Sequence, residues 1–205
     1  MAQLSLAGID LIVANEGFST TPYWPKGASG VTIGFGYDVG YVSRDEFISD
    51  WGAHFSPADL AALLACVHLT GAAAQAALGA VKTIKVGKAF ARSVFIDRSM
   101  PKAETRASQA FPRISELADN AYSALVSLVF NRGGSMQDQP GDALKRRKEM
   151  RDIRDALASN TLSMQQKLKS IAASLRSMKR IWAGQGLAGL ISRREEEAKL
   201  VETCL

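Results

Sequence analysis

Apolar positions along the chain alternate between two regimes. From Ser5 to Glu16, Leu6, Ile9 and Val13, with Leu11 and Ile12 beside them, form a stripe at helical spacing. That stripe predicts a short amphipathic helix, and Gly17 stands where a C-cap glycine belongs. The helical pattern then stops. Between Thr20 and Tyr41, Pro22, Pro25, Gly27, Gly30, Gly34, Gly36 and Gly40 interrupt β-branched and aromatic residues, which predicts a twisted hairpin or small sheet. Ser43-Arg44-Asp45-Glu46 is a capping box opening a helix to about Trp51. Ser56-Pro57-Ala58-Asp59 is another, with Pro at the first helical position, and opens a helix over Leu60–Val67. The stretch from Thr70 to Pro112 is Ala-rich and then mixed, and its periodicity assigns no boundaries. Leu117 to Asn131 is apolar nearly all round, the signature of a buried central helix, and Gly133-Gly134 ends it. Asp142–Ala158 predicts a charged amphipathic helix with Leu144, Met150, Ile153 and Leu157 inward. Ser163–Ala183 and Ser192–Glu202 continue the helical pattern, separated by Gly184, Gly186 and Gly189.

These elements predict an α+β fold in one domain spanning 1–205: an N-terminal helix (1–16), a small β-hairpin lobe (about 17–42) and a larger, mostly helical lobe (about 43–205), with a cleft between the lobes. At 205 residues and 47% apolar content the chain is long enough for a proper core. The net charge of +5 favours an anionic partner without choosing among nucleic acid, a membrane surface and cell-wall polymer. Two cysteines are too few for a disulfide framework; Cys66, in an apolar run, reads as a buried thiol and Cys204 as an exposed one. The apolar N-terminal run is broken by Asp10 and Asn15 and has no basic flank, so no signal peptide or membrane span is expected, and synthesis in the cytoplasm is.

Glu16 is the first candidate for chemistry. Beside a helix C-terminus it faces the negative end of the helix dipole, a poor place for a negative charge and a suitable one for an acid that works carrying its proton. A Gly-rich extended segment follows and ends in a second carboxylate, Asp38, which reads equally as a turn-former before Val39-Gly40. Paired carboxyl groups are what cleavage of a glycosidic bond requires. Other chemistries are poorly supplied. His54 and His68 lack partners at metal-ligand spacing, there is no Gly-x-Ser-x-Gly elbow, and Gly34-Phe35-Gly36 is too short for a dinucleotide fingerprint. No metal and no cofactor are expected. The basic runs Lys145-Arg146-Arg147-Lys148 and Arg176, Lys179, Arg180 are interleaved with acids and read as solvated helix faces rather than as nucleic-acid contacts.

Glu16-Gly17, then Pro22-Tyr23, then Ser29-Gly30-Val31-Thr32-Ile33-Gly34-Phe35-Gly36-Tyr37-Asp38-Val39-Gly40 resembles the phage-type lysozymes, and among them most nearly the pesticin-like branch. Phe130-Asn131-Arg132-Gly133-Gly134-Ser135 and Trp182 with Arg193-Arg194-Glu195 are similar to later motifs of the same superfamily. The resemblance implies a lysozyme-like fold and a muramidase that cuts the β-1,4 bond between N-acetylmuramic acid and N-acetylglucosamine. It implies Glu16 as general acid, Thr32 as a positioner of water and Asp38, six residues after Thr32, as the base; Tyr23, Phe35, Asn131 and Arg132 are the expected substrate contacts. In ordinary phage lysozymes an Asp follows the Pro-Tyr pair, whereas here Tyr23 is followed by Trp24, Pro25 and Lys26. That departure keeps open a lysozyme-fold module that binds or scaffolds peptidoglycan with little turnover. The expected partner is peptidoglycan, reached in the periplasm or cell wall. Three carriers fit: a phage lysis protein released by a holin, a tail-associated lysin, and a secreted effector with its delivery machinery and an immunity protein.

Overall fold

The computed structural model describes residues 1–205. In chain order its elements are α1 (Leu6–Ala14), β1 (Ser19–Tyr23), β2 (Thr32–Gly34), β3 (Tyr37–Asp38), α2 (Arg44–Trp51), α3 (Pro57–Leu64), α4 (Gly71–Val81), α5 (Lys88–Ala110), α6 (Asp119–Arg132), α7 (Lys148–Ala158), α8 (Met164–Ser177) and α9 (Ala188–Glu202). They fall into two compact units, Glu16–Met100 and Met1–Asn15 with Pro101–Leu205. The expected β lobe of about 17–42 encloses the sheet, but the compact unit built around that sheet runs on through α2, α3 and α4.

In the 16–100 unit the three strands pair antiparallel in the order β1-β2-β3. Pro22 is tolerated because β1 is an edge strand. Gly34 takes φ +59° at the β2–β3 turn, and a Cβ there would press on Ala91 and Trp51, so conformation and packing both require glycine. Beneath the sheet lies an aromatic core: Trp51 is 5.6 Å from Tyr37, 5.7 Å from Phe55 and 5.6 Å from Phe90, and His54 stacks on Phe90 at 4.6 Å. His54 accepts a hydrogen bond from the Gly87 amide, and burial lowers its pKa, so its ring is a packed, neutral acceptor. Ser43 caps α2 by accepting from the Glu46 amide, and Ser56 caps α3 by accepting from the Asp59 amide.

The other unit is helical. α6 is its centre, with every residue from Ala121 to Val129 buried, as an all-round apolar helix must be. α1 lies against it at Gly8, where an added Cβ would collide with Ser123, and Ser123 Oγ accepts from the Ser5 amide. Gly133, with φ +72°, ends α6. Two local expectations are corrected. α1 stops at Ala14 with Asn15 as its C-cap, so Gly17 lies beyond the cap. α7 begins at Lys148 rather than Asp142, because the Asp142 carboxylate accepts from the amides of Leu144 and Arg146 and holds that segment as a turn. Leu144 is accordingly exposed. No helix is long and apolar enough to cross a membrane.

Candidate active site

β1, β2 and β3 bring three of the candidate residues into one row. Tyr23 pairs with Thr32 across β1–β2, and Thr32 pairs with Asp38 across β2–β3. Residues directly opposite in antiparallel strands point to the same face, so the three side chains form a continuous file across the sheet. Tyr23 is exposed at the edge, Thr32 is buried in the middle and Asp38 is half-buried at the far side. Burial first, and then the negative charge of Asp38, push the Tyr23 phenol up.

Asp38 is held by the backbone. Its Oδ1 accepts from the Gly40 amide at 2.9 Å and from the Gly30 amide at 3.1 Å, and its Oδ2 shares the Gly30 amide at 3.1 Å. It is also the N-cap of a 3-10 turn over Val39–Tyr41. The turn-forming reading of Asp38 therefore applies. It does not exhaust the group, because a carboxylate has about four acceptor sites and Oδ2 carries only one shared bond. Gly30 has to be glycine: a Cβ would strike the Asp38 carboxylate and lie 2.5 Å from the Gly40 amide. That requirement was missed from the sequence, although a glycine at each end of the run around Asp38 was a signal for it. Thr32 Oγ1 reaches the Gly30 carbonyl at 3.4 Å, at the long limit of a hydrogen bond, which leaves the hydroxyl rotor able to serve another partner.

Glu16 opens the same unit. It lies one residue past the α1 cap, in a bend, and is half-buried. The next residues, Gly17, Phe18 and Ser19, line an open pocket of about 240 Å³ together with Tyr23. Phe35, expected as a substrate contact, is 8% exposed and packed 5.0 Å from Phe18 and 5.7 Å from Phe95, behind the pocket's aromatic wall. Asn131 and Arg132 occupy the last turn of α6, in the helical unit, and both are half-buried. Arg132 stacks over Trp182 with its guanidinium carbon 4.9 Å from the ring centre.

Another carboxylate in the 16–100 unit has side-chain partners. Asp50 is buried, accepts from Tyr37 Oη at 2.9 Å and is ion-paired with Arg98. Burial and then the bond to Asp50 push the Tyr37 phenol far above its ordinary range. Sequence reasoning assigned Asp50 only to a helix. The missed cue was an acid placed next to Trp51 in an amphipathic segment, where burial demands a partner. No cluster of His, Cys, Asp and Glu suited to a metal ion is present.

A family model described as a domain of unknown function (DUF8812) matches residues 10–97. No curated protein matches the sequence. Among solved structures, the active form of the P1 phage endolysin Lyz is similar with a TM-score of 0.52 at 20% identity, over 98% of this chain and 85% of that one. The muramidase domain of SpmX from Asticaccaulis excentricus is similar with a TM-score of 0.53 at 18% identity, over 98% of each chain. The fold is lysozyme-like. At these identities the likeness is one of fold, and it covers the whole α+β arrangement, small antiparallel sheet and helical unit together.

Proposed function

We propose that this lysozyme-like chain is a peptidoglycan hydrolase, a muramidase cutting between N-acetylmuramic acid and N-acetylglucosamine. The observation that carries the proposal is the Tyr23–Thr32–Asp38 file with its backbone-locked carboxylate, in the same compact unit as Glu16. Glu16 would protonate the leaving glycosidic oxygen. Asp38, through its less occupied Oδ2, would accept the proton of a water that the Thr32 hydroxyl helps to orient, and that water would attack the anomeric carbon. Tyr23, exposed and beside the 240 Å³ pocket, is suited to lie against a sugar ring. The lysozyme-like neighbours, both named for endolysin or muramidase activity, support the same reading. The pesticin-like spacing from Thr32 to Asp38 supports Asp38 over the absent acid after Tyr23. The site of action would be the bacterial cell wall, after delivery of the chain from the cytoplasm.

The test is clearing of outer-membrane-permeabilised sacculi, with new muramic-acid reducing ends assayed, by wild type, Glu16→Gln and Asp38→Asn. Asparagine keeps an oxygen for the Gly40 amide and removes the basic oxygen. Each variant should therefore stay folded and lose about 10²–10⁴-fold in rate, the usual contribution of one acid or base. Clearing lost only with Glu16→Gln would remove Asp38 from the mechanism. A folded wild type that sediments with sacculi and releases no reducing ends would favour the second reading, a glycan-binding module. That reading has its own supporting observation, the complete use of Asp38 Oδ1 in holding a turn.

A further inference from the structure

The surplus charge is not spread over the chain. Residues 16–100 carry seven Lys and Arg against seven Asp and Glu, so the whole +5 belongs to the helical unit, with 18 against 13. Many of those cations have local partners: Arg176 pairs with Glu195 and Glu202, Lys179 with Glu195, Arg180 with Glu149 and Arg151 with Asp138. Arg194 leaves its Nε and Nη1 unmatched inside the core, whereas Arg132 leaves a donor unmatched at the edge of a pocket. The Nη2 of Arg132 donates to the Arg146 carbonyl at 2.6 Å, while its Nη1 is buried and has no hydrogen-bond partner. A buried donor left unmatched in a native fold calls for a physical explanation, and where its side chain also borders a pocket an arriving polar group supplies one. The carboxylates close enough to influence Arg132 have other partners: Glu149 holds Arg180 and Ser177, and Glu197 holds Arg194 and Ser127 through Oε1, while its Oε2 has no partner. Burial, and then the charges of Arg147 and Arg194, pull the Arg132 guanidinium down to about 10. It remains a cation at neutral pH, felt by Glu149 and Glu197, each of which is paired with another arginine.

Arg132 lines an open pocket of about 130 Å³ with Arg146, Arg147, Gln137, Gln139 and Asp142. Asp142 is already bonded to the Arg146 guanidinium at 3.0 Å and to the amides of Leu144 and Arg146. Three guanidiniums, one committed carboxylate and two side-chain amides make a site for an oxyanion attached to a hydrogen-bonding chain. The planar Arg fork matches a carboxylate in a bidentate geometry, and the two Gln side chains can meet neighbouring peptide groups. We propose that this pocket is an anion subsite that takes a carboxylate of the peptide stem borne by peptidoglycan, a choice of polymer that rests on the muramidase reading.

The experiment uses the full chain carrying Glu16→Gln, so that nothing is cut during the measurement. It is titrated by calorimetry with a soluble stem tetrapeptide, with the same peptide amidated at its carboxylates, and with inorganic phosphate. The free-acid tetrapeptide should bind, and amidation should weaken it about tenfold, the loss of one charge-assisted contact. Arg132→Lys, which keeps the charge and loses the fork, should weaken the acid peptide and leave the amide unaffected. Arg146→Gln, on a half-exposed side chain, should do the same without risk to the core. Equal affinity for acid and amide, or no binding of either, would overturn the subsite. Phosphate binding more tightly than the peptide would overturn the stem assignment in favour of a phosphate-bearing polymer. Digestion of sacculi by wild type is read separately. Peptide binding without digestion would sink the muramidase reading alone, and digestion without acid-selective binding would sink the subsite alone.

Discussion

The two compact units orient their charged groups by different means. In the neutral 16–100 unit, Asp38 is fixed by backbone amides within ten residues of itself, and buried Asp50 is met by Tyr37 and by Arg98, whose side chain is 42% exposed. In the helical unit the positive surplus reaches into the core. Arg193, Arg194 and Glu197 of α9 are at most 2% exposed, and Glu197 accepts from Ser127 on α6 at 2.6 Å and from Arg194 at 2.7 Å. Burial pushes the Glu197 carboxyl up and pulls the Arg194 guanidinium down, so each ion depends on the other for remaining charged. Short backbone turns suffice to aim a carboxylate near the surface. Inside the helical unit the buried ions pair within one turn of α9, and the distant Ser127 of α6 adds the hydroxyl that helps to hold their carboxylate.

Removing one ion from each setting tests that contrast. Glu197→Gln leaves two buried guanidiniums beside a neutral amide, and should cost about 3–5 kcal/mol. Arg98→Gln leaves Asp50 with the Tyr37 hydroxyl and access to water at the position of a half-exposed side chain, and should cost clearly less. Urea midpoints at neutral pH, with unchanged slopes, would measure both; equal costs would abolish the distinction between the units. A smaller effect concerns Asp38. Asp38→Ala removes the acceptors for the Gly30 and Gly40 amides and should cost about 1 kcal/mol, as a lost cap does, whereas Asp38→Asn should lie near wild type. An Asn variant as unstable as the Ala variant would mean that its loss of activity reports folding rather than chemistry.

The same division explains what the sequence disclosed. Ser43 and Ser56 as caps, Gly133 as the end of α6, and the apolar α6 itself were legible because each is decided by residues within a turn or two. The run around Thr32 and Asp38 was legible as a motif for the same reason. The Asp142 turn was not, since Asp142 heads an apparently helical pattern and only the competition of its carboxylate for two nearby amides ends that pattern. α5 was lost in the mixed segment because Pro101, which has no amide to give, stands inside a helix that continues through it. The packing of Phe35 between Phe18 and Phe95 was not legible either, because an aromatic residue in such a run suits sugar or core equally. Ser127 gave the one available hint of the buried ions, a hydroxyl in a helix otherwise apolar on every side. Its partners stand 66 and 70 residues away, beyond any periodicity argument.

The smallest expected effect lies on the surface of the helical unit. A hydrogen bond from Lys179, and then one from Arg176, hold the Glu195 carboxyl down to about 2, well below its ordinary 4.5. A depressed carboxyl stabilises the fold above its unfolded pKa, and that contribution disappears as pH falls from about 4.5 toward 2. Glu195→Gln should therefore flatten part of the fall in melting temperature across that window. At neutral pH it should change stability little, because Glu195, Lys179 and Arg176 are each about one-third exposed and screened by water. The measurement is melting temperature against pH for wild type and variant, at low and at 0.5 M salt. Added salt should shrink the difference between them. A pH profile that the substitution leaves unchanged would show that these surface pairs add nothing to stability. The helical unit's charge would then act on stability through its buried ions alone, with the remaining surplus available for an anionic partner.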